Sequence, residues 1–122
     1  MAQPTQYMWS RLAQNVSVDQ GNAGDVGVEQ FTGVTLVCKL TTLTGGTTPS
    51  VTFAIDVKLS DGTYVQIAAG TTLTATGNSI ISLGPGMANN HVSGKVIRVR
   101  WTVVGGPTTA TADLHMLGEI EY

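Results

Sequence analysis

The side chains that could carry out chemistry are few: the chain has one cysteine, Cys38, and two histidines, His91 and His115. A nucleophilic triad needs Ser, Thr or Cys beside a base that a third group orients. Cys38 falls in an alternating apolar series, His91 in a segment rich in turn-forming residues, and His115 in the outward series of the last predicted strand. No pattern brings two of them together. We therefore expect a protein that is not an enzyme and has no catalytic residues.

The residues that could bind a metal or a cofactor are equally sparse. A zinc site requires four Cys or His ligands, or three with an open position, and this chain has three such residues, widely separated. Asp19, Asn22 and Asp25 could offer oxygens to calcium, but their spacing differs from that of an EF-hand loop and is typical of a polar turn. The Gly-Pro-Gly segment at 84–86 precedes no predicted helix that could bind a phosphate. We expect no metal and no cofactor.

Trp101, with Arg98 and Arg100 close in sequence, has two interpretations. It could form an aromatic platform for a sugar or a base, but it shares its strand face with the apolar residues Ile97, Val99 and Val103, which predicts core packing. The two arginines point to the opposite face. They either pair across strands with an acidic residue or meet an acidic partner surface, and the sequence leaves both open. The acidic residues in question are Asp56, Asp113 and Glu119.

Composition restricts the class of partner. Only 11% of the 122 residues are charged, the net charge is −2 and the isoelectric point is near 5.4, so the basic excess that phosphate backbones require is missing and we expect no direct nucleic-acid binding. A weakly charged surface lets copies approach closely, which favours an assembling protein. The sequence contains neither a signal-peptide pattern nor a long apolar span, so we expect folding in a cytoplasm and no membrane partner.

The hydrophobic pattern predicts an all-β chain with almost no helix. Residues 51–59 alternate apolar and polar side chains, the period of a half-buried strand. Similar stretches recur, and seven or eight short strands predict a two-sheet antiparallel β-sandwich, jelly-roll-like, with an immunoglobulin-like topology as the alternative. We divide the chain into an N-terminal arm, residues 1–10, and a single sandwich domain, residues 11–122.

Individual strands and turns follow from the same pattern. Residues 11–18 form a first strand through Leu12, Val16 and Val18, and residues 71–76 and 79–83 form a hairpin around Gly77-Asn78. A three-residue turn at 60–62 pairs Leu59 with Thr63, Val57 with Val65 and Ile55 with Ile67. Residues 84–91 form an exposed loop. The predicted inward series are Val34, Leu36, Cys38 and Leu40; Ile97, Val99, Trp101 and Val103; and Ala112, Leu114, Met116, Gly118 and Ile120.

The arm and the loop are the candidate interface. Large apolar residues in a terminal segment either pack on their own sandwich or insert into a neighbour, and Tyr, Trp, Met and Arg are enriched in interface cores, so we favour the neighbour. The predicted contact residues are Tyr7, Met8, Trp9 and Arg11 in and beside the arm, Pro85, Met87, Asn89 and His91 in the loop, and Arg98 and Arg100 on the outward strand face.

Several segments resemble the small capsid decoration, or cement, proteins of tailed bacteriophages. They are the Thr- and Val-rich stretch at 32–43, the strand and Ser-Asp-Gly turn at 51–62, Leu-Thr-Ala-Thr-Gly at 73–77, Leu-Gly-Pro-Gly-Met at 83–87 and Val-Ile-Arg-Val-Arg-Trp at 96–101. The resemblance implies a non-enzymatic virion protein, bound to the capsid exterior and clamping major capsid subunits, commonly as a dimer or trimer. The alternative is a tail, receptor-binding or carbohydrate-binding sandwich module.

Overall fold

Eight strands make up the regular structure of the part of the chain that the structure describes. The computed structural model describes residues 5–28, 33–84 and 96–119, and the side chains within 9–28, 33–84 and 96–118. These ranges contain no helix, and therefore none long and apolar enough to cross a membrane. The strands are β1 (Thr5–Asn15), β2 (Asn22–Gly27), β3 (Gly33–Thr44), β4 (Ser50–Lys58), β5 (Tyr64–Ala69), β6 (Gly77–Leu83), β7 (Val96–Val104) and β8 (Thr109–Glu119).

The strands form two antiparallel sheets of four. The first sheet has the order β1-β8-β3-β6 and the second the order β2-β7-β4-β5. The first strand therefore pairs with the last, the second with the seventh and the third with both the sixth and the eighth, and most successive strands alternate between sheets. This is the double Greek-key order of an eight-stranded jelly roll. The prediction of a jelly-roll sandwich is confirmed over the immunoglobulin-like alternative.

The core lies between the sheets and contains the described members of the predicted inward series. Leu36, Cys38, Val99 and Leu114 have no exposed surface. Trp101 is 2% exposed, its indole N–H donates to the Val18 carbonyl at 3.0 Å, and its ring packs edge-to-face on Phe53 with 6.4 Å between the ring centres. The core interpretation of Trp101 is therefore confirmed, and the alternation that predicted it reflects true burial of one strand face.

The turn between β4 and β5 has the predicted three-residue loop. The Leu59 N–H donates to the Thr63 carbonyl at 2.7 Å, Val57 pairs with Val65, and Gly62 has a φ of 88°, the left-handed conformation expected of the bulge position. Further along, Ile55 pairs with Ala68 rather than with Ile67 as we predicted, because β5 has one extra residue at that point. Leu59, the last apolar residue of the alternating series at 51–59, is 43% exposed because it already belongs to the turn.

The N-terminal segment differs from the prediction. Residues 5–10, assigned to the arm, belong to β1, which pairs with β8 from Thr5 opposite Glu119 to Asn15 opposite Thr111. Val16 is buried as predicted, whereas Leu12 and Val18 are each 68% exposed. The physical reason for Leu12 is a bulge: Ala13 has a φ of 53°, and β1 has an extra residue between Arg11 and Gln14, which turns Leu12 outward.

The predicted hairpin around Gly77-Asn78 is wrong. Both residues lie inside β6, which pairs with β3 from Gly77 opposite Leu40 to Leu83 opposite Val34. In residues 71–76 the pairing is limited to one bridge, between Leu73 and Val51. In this Thr-rich segment the side-chain types alternate as they do in a strand, but no face of it is buried. The predicted loop at 84–91 lies outside the described residues except for Gly84, and so does Ile120.

Candidate interaction surface

Arg98 and Arg100 lie on the outer face of the second sheet, where both bind Asp56. In the β4–β7 register Arg98 is directly opposite Asp56, and Arg100 is opposite Ala54, two residues away on the same face. The Nε atoms of Arg98 and Arg100 donate to Asp56 Oδ2 at 3.0 and 2.9 Å. Asp56 is only 2% exposed. Of the two interpretations that the sequence left open, cross-strand pairing is therefore observed, and of the three acidic candidates the arginines select Asp56.

Arg100 uses its remaining donors on Asp56 again and on two neutral glutamines. Nη2 donates to Asp56 Oδ1 at 3.2 Å and to the Gln66 side-chain oxygen at 2.6 Å, while Nη1 donates to the Gln20 side-chain oxygen at 2.9 Å. The guanidinium is thus held between β4, β5 and the segment before β2. Fixed in this way, its side chain is 14% exposed and has little freedom to rearrange.

Next to Asp56, Tyr64 connects Arg98 to Asp25. Its hydroxyl donates to Asp25 Oδ1 at 2.6 Å, Lys58 Nζ donates to Asp25 Oδ2 at 3.2 Å, and the Arg98 guanidinium carbon lies 3.6 Å from the centre of the Tyr64 ring. The Tyr64 hydrogen bond, and then that of Lys58, lower the pKa of Asp25. The same hydrogen bond raises the pKa of Tyr64, because it favours the neutral phenol as donor.

These residues form a continuous patch, which we name the basic face: Asp25, Asp56, Lys58, Tyr64, Arg98 and Arg100. It holds three cations and two anions, so its formal charge is +1 on a chain whose net charge is −2. Sequence reasoning found the two arginines and named Asp56 as one partner, but it missed Lys58 and Tyr64. The available signal was the register of the β4–β5 hairpin, which places Lys58 opposite Tyr64.

The three oxygen-bearing residues considered for calcium instead have partners within the protein. Asp19 Oδ1 accepts the Val103 N–H at 2.8 Å, and Asn22 Oδ1 accepts the Gly24 N–H at 3.0 Å. Asp25 belongs to the basic face. Among the residues that the structure describes, no group of three His, Cys, Asp or Glu side chains is placed to hold a metal ion.

Of the predicted arm contacts, Trp9 packs against its own sandwich. It is partly buried against the core, and the Arg11 guanidinium carbon lies 5.0 Å from the centre of its ring. Arg11 itself is exposed. Tyr7 and Met8 belong to β1 by their backbone, but their side chains fall outside the described set. Pro85, Met87, Asn89 and His91 also lie outside the described residues, so their contact role stays a prediction.

The remaining reactive side chains are separated. Cys38 is buried, and its burial raises the pKa of the thiol to about 12, which keeps it protonated and unreactive. His115 lies on the outer face of the first sheet, in register between Ser10 of β1 and Val37 of β3. His91 lies outside the described residues. The described geometry thus brings together the charges of the basic face, and it leaves Cys38 and His115 on opposite faces of the first sheet.

Comparison with known proteins gives a fold and no family. No protein-family model matches the chain, and neither does any curated protein sequence. Among solved structures, the SPBc2 prophage-derived protein YomS aligns with a TM-score of 0.53 at 7% identity, covering 95% of this chain and 92% of that one. The CBM22-1 xylan-binding domain of Paenibacillus barcinonensis Xyn10C aligns with a TM-score of 0.53 at 9% identity, covering 100% and 99% of the two chains.

A viral capsid protein shares the same architecture. The VP2 subviral particle of infectious bursal disease virus aligns with a TM-score of 0.50 at 14% identity, covering 97% of this chain and 32% of that one. At such identities the similarity concerns the jelly-roll fold alone. This fold serves both as a structural and as a binding module in the proteins that share it.

Proposed function

We propose that this chain is a non-enzymatic structural protein of a phage virion, which binds the outside of the assembled capsid and clamps neighbouring major capsid subunits. The observation that carries the proposal is the position of the charged network of the described residues: it lies on the outer face of one sheet, whereas the space between the sheets is filled by apolar side chains with Ser79 as the one buried polar residue among those described. A protein built this way acts through its outer surface. The fold, shared with a prophage-derived protein and a viral capsid protein, is consistent with that role.

The stabilisation of the capsid by such a protein follows from mass action. A protein that binds the assembled shell but not free subunits stabilises the shell by about 2.7 kcal/mol per site when its free concentration is 100 times its Kd. Because a capsid repeats the same site many times, the total effect is large even when each contact is weak. No catalytic step, cofactor, nucleic acid or membrane is required.

We also propose that copies of the chain associate through β6. Of the four edge strands, β1, β2 and β5 each carry an extra residue relative to their neighbour, and such bulges discourage pairing with a further strand. By contrast, β6 keeps an unbroken register with β3 and contains no charged residue or proline. Among the described strands it pairs with β3 alone. This is the edge that another strand can extend most easily.

The sequence of β6 favours pairing with a second copy of itself. Ile80 is its middle residue and is 63% exposed on the outer face of the first sheet. In an antiparallel pair centred on Ile80, the two Ile80 side chains would lie next to each other and bury apolar surface, with no like charges opposed along the strand. The product is a two-fold dimer with a continuous eight-stranded sheet, which agrees with the dimer form of the expected homo-oligomer.

Cosedimentation tests the main proposal. The purified chain is mixed with assembled capsids of the virus or prophage that encodes it, and separately with free major capsid protein. We expect saturable binding to the assembled capsid, weaker binding to the free subunit, and a higher dissociation temperature of the decorated capsid. Equal binding to both forms, or none to the capsid, would contradict the proposal.

The alternative function, a carbohydrate-binding module, has support from the fold but less from the described side chains. A sugar platform requires an exposed aromatic face. Trp101 is buried, Trp9 is partly buried beneath Arg11, and the ring of Tyr64 is covered by Arg98. A titration of the tryptophan fluorescence, which comes from Trp9 and Trp101, with xylo-oligosaccharides discriminates the two functions, since the structural role predicts no change.

A further inference from the structure

The basic face contains one arginine whose two terminal nitrogens have no hydrogen-bond acceptor within the described structure. Arg98 donates through Nε to Asp56, and no described residue accepts from its Nη1 or Nη2. The other two cations differ in this respect. Arg100 has acceptors on all three nitrogens, and Lys58, which donates to Asp25, has a single nitrogen and therefore no planar pair of donors.

Arg98 is also held rigidly in place. Its Nε is fixed by Asp56, which is buried and further anchored by Arg100, and its guanidinium stacks on the Tyr64 ring at 3.6 Å. Tyr64 is in turn fixed by its hydrogen bond to Asp25. The side chain of Arg98 is nevertheless 21% exposed, so solvent reaches part of it. Two coplanar N–H groups with a fixed orientation and solvent access can donate two parallel hydrogen bonds to one carboxylate.

We propose that the Nη1 and Nη2 atoms of Arg98 bind an Asp or Glu carboxylate of a partner protein, which docks on the basic face. Pre-organisation favours this, because the ordering of the arginine side chain is already complete before the partner arrives. The local charge of +1 on a chain of net charge −2 attracts an acidic segment to this side of the molecule. Where the partner is a capsid subunit, the inference rests on the proposed function and identifies its docking face.

The surroundings favour a protein carboxylate over the other anions. A nucleic acid would need several phosphate contacts, whereas here two carboxylates, Asp25 and Asp56, lie beside the single arginine with free donors. An acidic sugar would gain from an open aromatic ring, and the ring of Tyr64 is already covered. Around the arginine pair, uncharged side chains offer hydrogen bonds of the kind found at the rim of protein interfaces. They are Gln20, Thr52, Gln66, Thr72 and Thr102.

The test follows the side-chain N–H signals of the arginines by NMR while an acetylated, amidated Gly-Glu-Gly-Asp-Gly peptide is added. We expect a saturable, salt-sensitive shift of the Arg98 signal. Arg98→Lys, which keeps the charge and can keep the contact with Asp56, should weaken binding by about tenfold, as expected when a bidentate contact is lost. The matched control is Lys39→Gln, which removes an exposed cation from the first sheet and should leave peptide binding unchanged.

The outcomes separate the two proposals. No Arg98 shift, equal loss in both variants, or tighter binding of a galacturonate trisaccharide than of the peptide would each overturn the inference. Capsid binding by Arg98→Lys at the wild-type level would also overturn it, while the proposed function stands. Conversely, a peptide site on a protein that fails to bind capsids would retain the inference and refute the function. Trp101 fluorescence and thermal unfolding verify that each variant is folded.

Discussion

Arg100 donates two hydrogen bonds to the carboxylate of Asp56. Its Nε lies 2.9 Å from Oδ2, and its Nη2 lies 3.2 Å from Oδ1. The two residues come from neighbouring strands, β7 and β4. Arg100 is opposite Ala54, and Asp56 lies two residues further along β4 on the same face. This fork contact occurs on a carboxylate that is almost fully removed from water. The pair therefore links the two central strands of the second sheet by charge, in addition to their backbone hydrogen bonds.

Removing the charge of Asp56 should destabilise the fold. In Asp56→Asn the side-chain shape is kept, but two guanidinium groups lose their anion, and we expect the free energy of unfolding to fall by about 2 to 4 kcal/mol, since both arginines keep some solvent contact. Urea unfolding measures the effect. A double-mutant cycle of Asp56→Ala with Arg100→Ala should show a coupling above about 1 kcal/mol. A coupling near zero would mean that the contact is not energetically significant.

The hydroxyl of Tyr64 should control the titration of Asp25. Because the hydrogen bond from Tyr64, followed by that from Lys58, lowers the folded pKa of Asp25, this carboxylate stabilises the fold above its unfolded pKa of about 3.9, and the stabilisation is lost as the pH falls through the lower folded pKa. In Tyr64→Phe the pKa of Asp25 should rise towards its ordinary value. The stability difference between wild type and variant should then shrink on acidification.

Carboxyl-carbon NMR titration measures the pKa of Asp25, and urea unfolding at several pH values measures the stability difference. Asp61 provides an internal control for the titration. Its pKa is lowered by the hydroxyl and then the backbone N–H of Thr63, so it owes nothing to Tyr64. The Asp61 titration should be the same in both proteins. An unchanged Asp25 pKa in Tyr64→Phe would refute the hydrogen bond as its cause.

Gly21 should tolerate no side chain. A Cβ added there would overlap the buried indole ring of Trp101, including its Nε1 atom, which donates to Val18. We expect Gly21→Ala to cost about 1 to 3 kcal/mol through overpacking. Gly27 in β2 is the matched control, because a Cβ there meets nothing within 4 Å, and Gly27→Ala should change stability by less than about 0.5 kcal/mol. Urea unfolding followed by Trp101 fluorescence compares the two.

The sequence predicted burial better than it predicted pairing. The inward series around Leu36, Val99 and Leu114 alternate over many residues, and burial of one face leaves little choice of register. Bulges carry no comparable signal: one extra residue in β5 or β1 reverses the face of every later residue in that strand, and neither Ile67 nor Ala13 is a residue type that marks a bulge. This is why Leu12 was assigned to the wrong face.

The basic face was only half predictable for a related reason. Arg98 and Arg100 stand out on an otherwise apolar strand, and Asp56 alternates on another, so their pairing needs only the knowledge that β4 and β7 are neighbours. The contacts of Tyr64 and Asp25, by contrast, span the whole width of the second sheet, from β5 to β2. Such a contact depends on strand order, which local pattern does not contain. The strand order, more than the residue types, therefore determines which polar side chains are in contact on this face.

Substitution at the centre of β6 should separate the dimer. Ile80→Lys introduces two ammonium groups at the proposed symmetry axis, where like charges oppose each other and the apolar contact is lost. Leu12→Lys is the matched control: it is 68% exposed, against 63% for Ile80, and lies on the opposite edge strand of the same sheet, which is bulged. Light scattering after size-exclusion chromatography should show dimers for the wild type and Leu12→Lys and monomers for Ile80→Lys. A monomeric wild type, or an Ile80→Lys variant that stays dimeric, would exclude β6 as the site of self-association.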